Sequence, residues 1–290
     1  DAAGDGTGTL SLLASSIVTS ANTSTSAITL RGADMAIDGT AGVTATGVGG
    51  GVRLFSSVDT RPIALGDTSG SAVAGINLDD AELARISNYA TLTVGEAAAQ
   101  SGTITVTTVT NPVSAGNLVI NTSGTGGIVL NDTGSEGVPV VATALAAGSG
   151  TVSLTAGSGG ITAATANNTT AEIATTGATV TLNTSGTVGT SANRIQFANN
   201  ATTTQQNVVV GSVGTQPSAV FLDGLNNLTL GNITTSTTNA NVSVTALGGL
   251  NVNGTITSGT GTISLGADRT FGDAAGDGTG TLSLLASSIV

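Results

Sequence analysis

The sequence predicts an all-β fold, a right-handed parallel β-helix (β-solenoid) with about 20 residues per coil and one short helical insertion near residues 79–86. Three observations predict it. Short runs in which Val, Ile or Leu alternate with Thr, Ser or Asn are typical of strands with one buried face. These runs recur with a loose period in the range typical of solenoids. The chain also has 43 Gly and only 2% aromatic residues among its 290, which suits a narrow interior.

The strands are marked by the pentapeptide Gly-Thr-(Leu/Val/Ile)-Ser-Leu, which occurs at Gly8–Leu12, Gly150–Leu154, Gly261–Leu265 and Gly280–Leu284. Its two alternate apolar side chains face the interior. Gly-containing corners separate the strands and leave no room for crossover helices. The last step, from Ile263 and Leu265 to Leu282 and Leu284, has the length of one predicted coil.

A coil that climbs one strand spacing rises about 4.8 Å. For a unit of 272 residues this predicts about 13 or 14 coils and a rod of about 65 Å. The right-handed sense follows from the crossover rule for parallel strands.

Residues 59–100 depart from this pattern. Asp79 is a predicted N-cap, Glu82 closes a capping box three residues later, and Leu78 and Leu83 form a hydrophobic staple. The favoured interpretation is a structural turn that packs Leu83 and Ile86 over one coil. The alternative is a contact helix, formed by Asp79, Glu82, Leu83 and Ile86, for a neighbouring filament or another partner.

Residues 1–18 (DAAGDGTGTLSLLASSIV) recur without change at 273–290. The identity predicts a tandem array in which residues 1–272 form one unit and 273–290 begin the next identical unit. An engineered overlap or a local duplication is the alternative. The predicted partners are further copies of the unit, in one giant chain or head-to-tail, and neighbouring solenoids. The residues expected at the unit junction, in exact register, are Gly8, Thr9, Leu10 and Leu12 with Gly280, Thr281, Leu282 and Leu284.

Composition removes most catalytic chemistry. The chain has no His and no Cys, and its six basic residues are all Arg, so imidazole, thiolate and lysine mechanisms are absent. We therefore expect no enzyme activity and no catalytic residue. A net charge of −11 disfavours nucleic acid as a partner. Because no run of about 20 apolar residues occurs, we expect no membrane-spanning helix.

Asp/Gly-rich stretches near the repeated segment suggest one metal hypothesis. Carboxylate and carbonyl oxygens there could hold Ca²⁺. The favoured interpretation is a set of corners that use Gly for backbone freedom and Asp for Asx-turns, so we otherwise expect no cofactor. The candidate Ca²⁺ ligands are Asp1, Asp5, Asp268, Asp273 and Asp277.

Residues 151–161 (TVSLTAGSGGI) and 241–256 (NVSVTALGGLNVNGTI) resemble the repeats of filamentous-haemagglutinin-like exoproteins of Gram-negative bacteria. Residues 63–66 (IALG), 78–83 (LDDAEL) and 91–95 (TLTVG) are similar to a segment recurrent in very large bacterial β-strand-repeat surface proteins. This resemblance implies a secreted β-helix at the cell surface or outside the cell.

The sequence thus favours a structural, non-catalytic solenoid that forms an extracellular bacterial surface fibre, stalk or sheath by coil stacking across identical units. The alternative function is an adhesin module that binds a host receptor or a glycan.

Overall fold

The computed structural model describes residues 8–66, 73–109, 116–132, 143–175, 179–199, 207–212, 214–236, 238–269 and 278–285. These residues form short strands and one helical turn, α1 (Asp80–Leu83). The strands are β1 (Thr9–Leu12), β2 (Ile17–Ser20), β3 (Ile28–Gly32), β4 (Asp34–Ile37), β5 (Gly42–Ala45), β6 (Gly51–Ser56), β7 (Ile63–Gly66), β8 (Ile76–Leu78), β9 (Ile86–Ser87), β10 (Thr91–Val94), β11 (Ile104–Thr107), β12 (Asn117–Asn121), β13 (Ile128–Asn131), β14 (Leu145–Ala147), β15 (Val152–Ala156), β16 (Ile161–Ala163), β17 (Ile173–Thr175), β18 (Thr179–Thr184), β19 (Thr187–Val188), β20 (Ile195–Asn199), β21 (Asn207–Val210), β22 (Ala219–Gly224), β23 (Leu228–Thr234), β24 (Val242–Ala246), β25 (Leu250–Val252), β26 (Ile256–Thr257), β27 (Ile263–Ala267) and β28 (Leu282–Leu284).

Each strand pairs in parallel with strands of neighbouring coils, which confirms the predicted parallel β-solenoid. The first face is the ladder β3-β6-β10-β12-β15-β18-β21-β23-β25-β28. The second face contains β8-β7-β11-β13-β16-β19, and the third face contains β14-β17-β20. In the later coils β22, β24 and β27 span the second and third faces, because β22 pairs with both β19 and β20.

The first coils follow the same order of faces. β3 lies on the first face, β4 follows on the second and β5 on the third, in the separate small sheets β1-β4 and β2-β5-β9. β4 packs against β8, and the Asn77 N–H donates to the Asp34 carboxylate at 3.3 Å. The sheet of β1 and β4 therefore continues the second face toward the amino-terminal end of the stack.

Most coils are longer than the roughly 20 residues that the loose period of the sequence predicts. Where β23 pairs with β25 and β24 with β27, Leu228 pairs with Leu250 and Val242 with Ile263, so these coils come close to the predicted length. The last step, from Leu250 to Leu282, is longer. Corners are longer elsewhere on the first face, where Leu118 pairs with Val152. The longest step crosses α1, since Gly51 pairs with Thr91. Most coils are therefore longer than predicted, because inward register fixes the strands and leaves the lengths of the corners free.

The interior is a thin column of aliphatic side chains. Along each strand alternate residues are buried, as in β15, where Val152, Leu154 and Ala156 face inward and Ser153 and Thr155 face outward. Parallel register stacks like positions, so Leu118 lies between Leu92 and Val152. Leu, Ile, Val and Ala fill this column with little help from aromatic rings, as the composition predicted.

The predicted insertion is present but shorter than expected. The helix ends at Leu83 with Ala84 as C-cap, and Ile86 begins β9, where it pairs with Val43. The helical segment near 79–86 is therefore one turn followed by a strand. The inserted strand β8 pairs with β7 on the side facing β4, so the chain steps back along the axis before it resumes climbing at β10.

The stack contains fewer coils than predicted. Among the described residues, the first face holds ten strands, from β3 to β28, and one further coil, β1 and β2, precedes them. At about 4.8 Å per coil, the repeating unit rises about 46 Å rather than about 65 Å. The predicted value assumed short corners throughout, and the longer coils account for the difference.

Candidate functional site

The amino-terminal half of the predicted junction is β1. Leu10 pairs with Met35 and Leu12 with Ile37, so the two leucines take inward positions next to β4. The Gly8 carbonyl accepts from the Ala33 N–H at 2.9 Å, and the Leu12 carbonyl accepts from the Asp38 N–H at 2.8 Å. β1 therefore offers a complete hydrogen-bonding edge and two apolar side chains to β4.

The carboxyl-terminal half of the junction is β28. Leu282 pairs with Leu250 and Leu284 with Val252, and the Leu250 N–H donates to the Thr281 carbonyl at 2.9 Å. The coil-length spacing from β27 predicted that these leucines would stack on β27, and this was wrong: β28 lies on β25 instead. Leu282 and Leu284 occupy inward positions but are 46% and 56% exposed, because no described strand lies over them.

The helix-bearing segment contains the predicted capping box. The Asp79 carboxylate accepts from the Glu82 N–H at 2.7 Å, and the Glu82 carboxylate accepts from the Asp79 N–H at 3.1 Å. The other Glu82 oxygen accepts from the Ile37 N–H at 2.9 Å, and the Arg85 guanidinium donates to the Ile37 carbonyl. Two side chains of the insertion thus satisfy both backbone groups of the last residue of β4.

Those contacts argue against the alternative of a contact helix. Leu83 and Ile86 are 1% and 3% exposed and belong to the core. Glu82 is engaged with the backbone of Asp79 and Ile37. Of the four residues named for that alternative, Asp79 is exposed and Glu82 is half-buried, and both serve the helix start.

Of the candidate Ca²⁺ ligands, Asp268 is described, and Asp1, Asp5, Asp273 and Asp277 lie outside the described residues. Asp268 has a left-handed backbone, φ 56°, and one carboxylate oxygen accepts from the Gly278 N–H at 2.8 Å. The choice between a Ca²⁺ site and an Asx-turn corner stays a prediction. Within the described ranges, no group of three or more acidic side chains is placed to hold a metal ion.

A buried polar column on the third face was missed by the sequence analysis. Gln196, Asp223 and Thr245 stand in register on β20, β22 and β24, at positions that alternation assigns to the outside. All three are at most 5% exposed. Gln196 Nε2 donates to Asp223 at 3.0 Å, and the Thr245 hydroxyl donates to Asp223 at 2.7 Å.

A loop covers this column. Asn168 donates its N–H to Gln196 Oε1 at 2.8 Å and accepts from Gln196 Nε2 at 3.0 Å. Asn168 and Thr165 also donate to the Asp132 carboxylate, at 2.7 Å and 2.5 Å. The corner that contains Thr165 and Asn168 therefore folds over the outward side chains and removes them from solvent. Acidic or amide residues inside short apolar strands, such as Asp223 in AVFLDG, are the sequence signal for such a column.

Glu172 stands at the amino-terminal end of the column and is 1% exposed. Burial raises the pKa of its carboxyl from 4.5 to about 8, against the lowering effect of the Gln196 N–H, and the nearby carboxyls of Asp132 and Asp223 raise it further. The Gln196 N–H donates to Glu172 at 2.6 Å. All three carboxyls are buried, so each must be protonated or hydrogen-bonded in the folded chain.

Asparagine side chains link successive coils on the outside. Asn117 and Asn241 each accept from the backbone N–H and the hydroxyl of a threonine one coil later, at 2.9–3.0 Å. Asn227 and Asn232 accept from the Gly249 and Thr255 N–H groups in the same way, at 2.7 and 2.9 Å. These bonds satisfy N–H groups at corners, where the ladder is interrupted.

No protein-family model, curated protein or solved structure matches this chain. Among the described residues, no helix has the length and apolar character needed to cross a membrane. The candidate functional site is the pair of junction surfaces, β1 and β28, because these strands carry the same sequence at opposite ends of the described stack.

Proposed function

We propose that this protein is a structural, non-catalytic tandem-repeat β-solenoid that forms an extracellular bacterial surface fibre, stalk or sheath by coil stacking across identical units. The observation that carries the proposal is the repeated segment, whose leucines take inward positions at both ends of the stack. In β1 they pair with Met35 and Ile37 of β4, and in β28 they pair with Leu250 and Val252 of β25. A segment that fits both ends allows the ladder to continue.

The function is mechanical. Backbone hydrogen bonds run along the axis, and each coil buries its aliphatic side chains against the coils before and after it. Stability is then a sum of coil terms and coil-to-coil terms, so length can grow without a change of fold. A head-to-tail contact between identical units does not close on itself and gives a filament rather than a ring.

The proposed place of action, outside the cell or on its surface, is supported by the resemblance of residues 151–161 and 241–256 to exoprotein repeats. The outer positions agree with this setting, because they are mostly Thr, Ser and Asn, and only 8% of the chain is charged. The proposed partners are further copies of the unit, in one chain or head-to-tail, with lateral contacts to neighbouring solenoids.

Electron microscopy of the native material tests the proposal. We expect a continuous thin rod with an axial rise of about 46 Å per unit. Isolated globular particles would contradict it. A glycan array and a cell-binding assay on the same material provide the second measurement: specific, saturable binding that is lost on substitution around Asp79 would favour the adhesin function instead.

A further inference from the structure

We infer that the joint between successive repeats turns each repeat by one face, a third of a turn, relative to the one before it. This inference rests on the proposed tandem array and specifies how its units meet. The observation behind it is that one sequence occupies two different faces. Residues 9–12 form β1 on the second face, over which β4 lies, whereas residues 282–284 form β28 on the first face, on β25.

Both placements put the same side chains inward. Leu10 and Leu12 align with the buried Met35 and Ile37. Their equivalents Leu282 and Leu284 align with the buried Leu250 and Val252. A slip of one residue would turn these leucines outward, so register and side-chain orientation agree at both ends. β1 and β28 therefore represent the same strand of the repeat. β1 is paired with the coil that follows it, and β28 is paired with the coil that precedes it.

When the two copies are treated as one strand, their pairings together describe the complete joint. Leu250 and Val252 lie on one side of the shared strand, and Met35 and Ile37 of the next repeat lie on the other. The surface left open at β28 therefore fits one occupant, the next repeat's copy of β4. The Gly280 and Leu284 carbonyls would accept the two N–H donors that the Gly8 and Leu12 carbonyls accept in β1, at 2.9 and 2.8 Å.

The faces determine the rotation. Each full coil passes through the first, second and third faces in that order, as in β12, β13 and β14. From β1, on the second face of the first coil, to β28, on the first face of the eleventh, the chain completes nine and two-thirds coils. One repeat therefore rises about 46 Å and ends a third of a turn short of a whole number of coils. Three repeats, about 140 Å, restore the original orientation.

The consequence for assembly is that α1 and its flanking corner wind around the rod. Successive repeats present the insertion on different sides, and a lateral partner that touches one side meets it once in three repeats. A joint without rotation needs a whole number of coils, so every repeat would present the insertion on the same side, about 48 Å apart.

Disulfide trapping in this cysteine-free chain distinguishes the two joints. Asn251 and Ser283 are outward neighbours in the β25–β28 ladder, at a strand spacing of about 4.8 Å that a disulfide can span. A joint without rotation would put Ser283 beside Ser264 on β27. We expect the Asn251→Cys/Ser283→Cys variant to oxidise to an intramolecular disulfide and the Ser264→Cys/Ser283→Cys variant to remain reduced. Ser11→Cys/Ala36→Cys, a pair within the β1–β4 ladder, is the matched positive control.

The opposite result, with Ser264 and Ser283 trapped, would overturn the inference. Helical reconstruction of the native fibre is the second measurement, and it does not depend on the folding of the variants. We expect the rotation per repeat of about 46 Å to differ by one face, about 120°, from the twist that the stack accumulates from coil to coil. A fibre whose repeats rotate by the accumulated coil-to-coil twist alone would contradict the inference and leave the proposed function standing. Absence of a fibre would contradict the proposed function, and the disulfide pattern would still decide how β28 is placed.

Discussion

At the scale of single residues, the buried polar column differs most from a simple solenoid. Glu172, Gln196, Asp223 and Thr245 lie on the outside of the third face by position but are removed from water by the corner that carries Asn168. Buried acidic groups cost free energy unless they are protonated or hydrogen-bonded. Gln196 links the column by bonding to Glu172, Asp223 and Asn168.

The raised pKa of Glu172 predicts a specific pH dependence. Because its pKa rises from 4.5 in the unfolded chain to about 8 in the folded one, the folded state binds more protons between these values. This contribution to stability is fully present below about pH 4.5 and is lost as the pH rises to about 8, by roughly 5 kcal/mol in total. Urea unfolding from pH 4 to 9 measures it.

The Glu172→Gln variant should remove this fall, because a neutral amide carries no proton to release and its oxygen can still accept from the Gln196 N–H. Glu96→Gln removes one negative charge at a half-buried surface position and controls for net charge. If Glu172→Gln unfolds with the same pH profile as the parent chain, the account of the column is wrong.

At the scale of the element, corners decide where strands end. Gly95 follows β10 with φ 76°, and a Cβ there would collide with the carbonyl oxygen of Asn121 in the next coil. Gly214 also has a positive φ, 64°, but has open space around it. Gly42 has open space and an ordinary φ. Substitution of these three glycines therefore distinguishes the cost of a left-handed backbone from the cost of a collision with the next coil.

Alanine substitutions at these positions should follow that order. We expect Gly42→Ala to change the free energy of unfolding by less than about 0.5 kcal/mol, and Gly214→Ala to cost about 1–2 kcal/mol from the left-handed backbone alone. Gly95→Ala adds the collision and should cost roughly 2–5 kcal/mol. Chemical denaturation of the three variants measures the series, and equal costs at Gly214 and Gly95 would show that coil contact adds nothing.

The inserted element depends on Glu82. Its carboxylate accepts from the N–H groups of both Asp79 and Ile37, so it holds the helix start and the end of β4 together. Glu82→Ala should destabilise the chain by roughly 1–3 kcal/mol. Glu82→Gln should cost less, because one oxygen remains to accept. Thermal unfolding of both variants checks the order, and a Gln variant as unstable as the Ala variant would contradict the shared role.

At the scale of the whole molecule, stability should vary along the rod. Interior coils such as β12, β15 and β18 are covered on both sides, whereas within the described residues β1 and β28 pair on one side. Local opening needs less free energy where fewer apolar contacts break. In hydrogen exchange of this chain, we expect amides of β15 to exchange at least about 100-fold more slowly than those of β28, which corresponds to about 3 kcal/mol. Uniform protection would indicate a single cooperative unit.

Much of the fold could be predicted from the sequence. Alternation in runs such as 151–156 determines which side chains are buried, because a strand has a period of two whatever its neighbours are. The capping box of Asp79 and Glu82 is local and was predicted correctly. The identity of residues 1–18 and 273–290 predicts a repeating unit directly, because it can be recognised in the sequence without knowledge of the fold.

Only the tertiary structure decided which strands stack. The coil-length step from Ile263 to Leu282 suggested neighbouring coils, but Leu282 lies on Leu250 of β25 instead. Alternation sets the side that faces inward and does not choose among faces, because corners of different length satisfy the same pattern. The burial of Asp223 and Glu172 likewise depends on a corner that folds over them from another coil. Local periodicity therefore determined the strands, and long-range register determined the column, the coil count and the placement of the junction.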